Sequence, residues 1–69
     1  MLMQILTNAA ALAYVAEIET RWYGTAPEII ASTPCLVNGW EDCPGIDVYT
    51  ANNHWSVWIE PNGEVYGEC

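Results

Sequence analysis

The sequence predicts an α+β fold, an N-terminal helix plus a short second helix packed on a three-stranded antiparallel β-meander. Two patterns carry that prediction. Apolar residues recur at helical period between Asn8 and Trp22, and from Ile46 onward they alternate with polar residues at period two. Between the two regions Pro34, Gly39, Pro44 and Gly45 interrupt regular structure. A chain of 69 residues has room for one domain: a helical part over 1–33, an acidic connector over 34–45 and the meander over 46–69.

In the first helix, Ala11, Val15, Ile18 and Trp22 fall at i, i+4, i+7 and i+11, flanked by Leu12 and Tyr14, while Glu17, Thr20 and Arg21 lie opposite. Thr7 or Asn8 offers a side-chain oxygen to the orphan amides of the first turn, and Gly24 supplies the stop, which sets the helix at residues 8–22. Upstream, Met1 to Leu6 is apolar without a period and reads either as a frayed first turn or as a short edge segment. A second helix near 26–32 is signalled by Thr25-Ala26-Pro27-Glu28. Thr25 is the cap, Pro27 sits where its missing N–H is harmless, and Glu28 closes a capping box.

The strands follow from alternation. Ile46, Val48 and Thr50 alternate with Asp47, Tyr49 and Ala51. Trp55, Val57 and Ile59 alternate with His54, Ser56, Trp58 and Glu60, and Val65 alternates with Glu64, Tyr66 and Glu68. Asn52-Asn53 fits a two-residue turn, and Pro61-Asn62-Gly63 a type I turn followed by a left-handed glycine bulge. The first turn pairs Ala51 with His54 and then Thr50 with Trp55, Val48 with Val57 and Ile46 with Ile59. The second pairs Ile59 with Val65 and Val57 with Gly67. One face therefore collects Ile46, Val48, Thr50, Trp55, Val57, Ile59 and Val65 as the seat for Val15, Ile18 and Trp22 of the helix.

The other face collects Asp47, Tyr49, His54, Ser56, Trp58, Glu60, Glu64, Tyr66 and Glu68, acids and large aromatics with no lysine or arginine among them. Glu60 falls opposite Glu64 at roughly 5 Å, where like charges destabilise a sheet by about a few tenths of a kcal/mol. Composition points the same way. One basic residue, Arg21, against nine acidic ones gives a formal charge of −8, which excludes a basic nucleic-acid binder. Solubility alone does not call for such a near-total exclusion of cations. Disorder is excluded by 52% hydrophobic residues with four Trp and four Tyr. The longest apolar run, Ala9 to Ala16, is far short of the ~18 residues of a membrane span. No Lys or Arg precedes it as a signal peptide requires, so a soluble chain that does not enter a membrane is expected.

Catalytic and metal chemistry find little purchase. Glu60 and Glu64 lie at an open edge, without the burial that separates an acid from a base. His54, Ser56 and Asp47 share a flat face with no cleft or oxyanion donors. Cys69, beside Glu68, lacks the positive surroundings that activate a thiol. No D-x-[DN]-x-[DN]-G loop offers calcium a site, and with no C-x-x-C and His54 as sole histidine a zinc site is not expected. The reading is a non-enzyme without metal or cofactor. Three cysteines, Cys35, Cys43 and Cys69, fit free thiols in a reducing compartment, or one Cys35–Cys43 bridge with a leftover thiol, better than a secreted disulfide framework.

The negative field then needs a positive partner, and a basic protein surface that otherwise holds phosphates fits strand carboxylates repeating every ~6.8 Å. The expected docking residues are Asp47, Tyr49, Trp58, Glu60, Glu64, Tyr66 and Glu68, with a second acidic patch at Glu41 and Asp42 of the connector. In size, charge and organisation over Asn8 to Trp22 and Ile46 to Cys69, the chain resembles the small phage-encoded anti-CRISPR proteins, many of which mimic nucleic acid. That resemblance implies a cytoplasmic inhibitor in a bacterial host. It would occupy a DNA-binding groove of a CRISPR effector, in particular the PAM-reading subunit of a type I complex, and would not itself bind nucleic acid. Exposed Trp58, Tyr49 and Tyr66 would favour a dimer, but the acids around them would repel, which favours a monomer.

Overall fold

The computed structural model describes residues 6–36 and 44–69. Helix α1 spans Asn8–Tyr23, and four strands follow: β1 (Ile29–Leu36), β2 (Pro44–Thr50), β3 (His54–Ile59) and β4 (Val65–Glu68). They form one antiparallel sheet in the order β1-β2-β3-β4. The α+β class holds, with four strands where three were expected.

Helix α1 begins and ends as its capping residues dictate. The Thr7 hydroxyl accepts from the Ala10 amide at 3.1 Å, and Gly24, at φ 80°, donates its own amide to the Thr20 carbonyl at 2.8 Å. At the entrance to α1, the Ser32 hydroxyl donates to the Asn8 side-chain carbonyl at 2.6 Å, tying this end of the helix to β1.

The second helix is a correction, because residues 29–36 form strand β1. A helix started at Thr25 would have to pass through Ile29, Ile30 and Thr33, whose branched side chains favour strands, and would meet Pro34 after two turns. The strand instead pairs with β2 from Ile29 to Leu36, with one register shift between Ile29 and Ala31. Pro34, which has no amide to donate, is accommodated because β1 is an edge. The Thr25 hydroxyl donates to the Ala26 carbonyl at 3.3 Å and caps nothing. The connector is correspondingly shorter than 34–45. Glu41, Asp42 and Cys43 lie outside the described residues, and with them the second acidic patch and the Cys35–Cys43 bridge.

The β2–β3 register is also corrected. Tyr49 pairs with His54, Val48 with Trp55 and Ile46 with Val57, two residues from the expected pairing. The turn is longer because Thr50 organises it, its hydroxyl accepting from the amides of Asn52 at 3.0 Å and Asn53 at 2.9 Å. A slip of two leaves every side chain on its expected face. The β3–β4 hairpin matches expectation: Ile59 pairs with Val65, Val57 with Gly67, and Gly63 takes φ 88° with its amide donated to Glu60.

Between helix and sheet lie Ala11, Val15, Ile46, Val48, Trp55 and Val57, with Leu6, Leu12, Tyr14, Ile18 and Val65 packed at the margin. Trp22 departs from expectation. It stacks on Trp55 at 5.4 Å yet remains 57% exposed, so it covers the core's end without entering it. Ile59 is half-buried. Tyr14 reaches across to β4, edge-on to Trp55, where Gly67 leaves room for its ring: a Cβ there would sit 2.7 Å from Tyr14 Cε1.

Candidate functional site: the open face of the sheet

The face turned away from α1 is ordered by register into rows. Asp47, Ser56 and Glu68 stand side by side across β2, β3 and β4. In the next row Gly45, Trp58 and Tyr66 are neighbours, and beyond them come Glu60 and Glu64. An aromatic pair therefore lies between two rows of carboxylates, each ~6.8 Å away along the strands. Trp58 and Tyr66 stack with centroids 6.3 Å apart and planes 22° from parallel, and Gly45 puts no side chain against the indole.

Glu60 and Glu64 are held by the rings beside them. Trp58 Nε1 donates to Glu60 Oε1 at 3.0 Å, and the Tyr66 hydroxyl donates to Glu64 Oε2 at 2.6 Å. Each carboxylate faces a donor two residues away on its own strand, although their backbones are joined by the Glu60 amide to the Glu64 carbonyl at 2.8 Å. The hydrogen bond to Glu64, together with the charges of Glu64 and Glu60, holds the Tyr66 phenol protonated above its ordinary range. An ionised carboxylate has about four lone-pair sites, so each keeps acceptor capacity for a partner.

At the other end, Tyr49 stacks on His54 at 4.2 Å with planes 8° apart. Asp47 Oδ1 accepts from Ser56 Oγ at 3.0 Å and lies 3.4 Å from His54 Nε2. Asp47 thus stands between serine and histidine, whereas a nucleophilic triad needs histidine against the hydroxyl. All seven expected docking residues share this face. Tyr49, Glu64, Tyr66 and Glu68 are exposed, and Asp47, Trp58 and Glu60 are half-buried.

The residue that sequence reading overlooked lies on the other side of the sheet. Glu19 is fully buried, and among the described residues no cation pairs with it. Its carboxylate accepts from Trp55 Nε1 at 2.7 Å, Thr50 Oγ1 at 2.9 Å, Asn52 Nδ2 at 3.0 Å and Asn53 Nδ2 at 3.1 Å. Burial pushes its titration up, but the bonds from Asn52, Trp55, Asn53 and Thr50 outweigh that, and the carboxyl sits below its ordinary range. A signal was present: Ala11, Val15 and Glu19 are spaced by four, which places a carboxylate in the apolar stripe. Glu19 fixes the Thr50–Asn53 turn to the last turns of α1, and with it the end of β2 and β3 that carries Tyr49 and His54.

No family model, curated protein or solved structure matches the chain.

Proposed function

We propose that this chain is a small acidic inhibitor whose open sheet face docks on a basic, nucleic-acid-binding surface of a protein partner. In this reading it acts as an anti-CRISPR DNA mimic that blocks target binding by a CRISPR effector in the bacterial cytoplasm. The observation that carries the reading is the composition of that face. Asp47, Glu60, Glu64 and Glu68 stand on it with Tyr49, Trp58 and Tyr66, while the only Arg, Arg21, is on α1 paired with Glu17 at 2.6 Å, and the chain has no Lys. Carboxylates in rows substitute for phosphates, and the rings of Tyr49, Trp58 and Tyr66 supply contact area that excludes water. The protein acts by occupancy as a monomer, without catalysis, metal or cofactor.

The stacking of Trp58 on Tyr66 favours a second reading, an acidic interaction or structural minidomain whose aromatic pair braces the sheet and whose charge serves solubility. Titrating the chain into a purified type I effector bound to its target DNA separates the two. Mimicry predicts displacement of the DNA that weakens steeply as salt rises. Undiminished DNA binding at saturating protein and low salt leaves the second reading.

A further inference from the structure

Resting on the docking role of the open face, we infer that the Trp58–Tyr66 platform is a receptor for an arginine side chain of the partner, in preference to lysine. The two rings lie stacked and nearly parallel on the face turned away from α1, with no side chain from Gly45 beside the indole, and Tyr66 is exposed. Rows of carboxylates bound that surface along the strands on both sides, Glu60 and Glu64 on one and Asp47 and Glu68 on the other. Glu60 and Glu64 are oriented in advance by Trp58 Nε1 and the Tyr66 hydroxyl.

A guanidinium satisfies both features at once. It is planar and weakly hydrated, so it lies flat on an aromatic face, and its fork of donors reaches a carboxylate at the rim. An ammonium is a compact, strongly hydrated charge that gains from the acids but little from the rings. Total charge attracts any cation, whereas ring geometry discriminates between cations. Because the carboxylates are tied to ring donors, ordering them on binding loses less side-chain entropy than ordering free glutamates would.

The test is calorimetric titration of the full chain with length-matched poly-arginine and poly-lysine peptides, at low and at physiological salt. Poly-arginine is expected to bind about 5- to 30-fold more tightly than poly-lysine, the range that a cation on an aromatic face contributes. Trp58→Ala, with folding checked by circular dichroism, is expected to remove that preference, with poly-arginine losing more affinity than poly-lysine. Exposed Tyr66→Leu serves the same purpose if the Trp58 variant fails to fold. Equal affinity for the two peptides, or a preference that survives loss of the platform, overturns the arginine assignment while the acidic docking face stands. Binding of neither peptide at low salt overturns the docking reading and the inference together.

Discussion

A buried carboxylate without a cation ordinarily titrates upward, and Glu19 does the reverse because four neutral donors replace the water it lost. Removing the acceptor strands two buried donors, Trp55 Nε1 and Thr50 Oγ1, each at about 1–3 kcal/mol. Glu19→Ala is therefore expected to lose about 3–5 kcal/mol, most of what so small a domain has, as measured by urea unfolding. The same residue sets an acid limit. Its folded-state value lies below the ordinary 4.5, so its contribution is complete above that value and is lost as pH falls through it and beyond. Protonation of the surface acids acts oppositely by relieving repulsion. The diagnostic is thus the difference between wild type and Glu19→Gln, whose melting temperatures are expected to converge as pH falls below the ordinary 4.5 and through the lowered folded-state value. Gly67→Ala is a third residue-scale test. The added methyl meets Tyr14 Cε1 at 2.7 Å, so a loss of about 1–3 kcal/mol is expected, and Gly67→Ala in a Tyr14→Leu background is expected to lose less.

Among the elements, those whose signals were local were legible in the sequence. Helix α1 announced its cap at Thr7 or Asn8, the Ala11–Val15 part of its stripe and its stop at Gly24, and the β3–β4 hairpin announced its Gly63 bulge. Strand β1 was obscured because Thr25 to Glu28 has the composition of a helix start, while the strand exists through pairing with β2, a contact that local propensity does not encode. The β2–β3 register was obscured by a side chain. Asn52-Asn53 reads as a two-residue turn until Thr50 is seen to collect both amides and to hand its own proton to Glu19. Thr50→Val is accordingly expected to loosen this hairpin, with faster amide exchange confined to the turn and the adjoining ends of β2 and β3. The membership of the open face on β2 and β3 was unaffected by the register shift because the slip was of two residues.

For the whole molecule, the dominant quantity is a formal charge of −8 on one small fold, and the Arg21–Glu17 pair is exposed and therefore worth little. Four of the nine acids stand on one sheet face, and Glu19, a fifth, is inside. Reversing Glu60, Glu64 and Glu68 to lysine keeps the core untouched and lowers the formal charge from −8 to about −2, while it leaves a like-charged pair at positions 60 and 64 and gives up the hydrogen bonds from Trp58 and Tyr66. The triple variant is expected to fold, with a melting temperature within about 4 °C of wild type and a difference that shrinks with salt. The central claim is that this face, and not charge in general, engages a basic partner. It is tested most directly by capture from a lysate of bacteria expressing CRISPR effectors, comparing wild type with the Glu60, Glu64 and Glu68 triple lysine variant at low and moderate salt. The account predicts that wild type recovers a DNA-binding effector subunit, that added target DNA releases it, and that the variant recovers none. Recovery of the same proteins by both forms would contradict it.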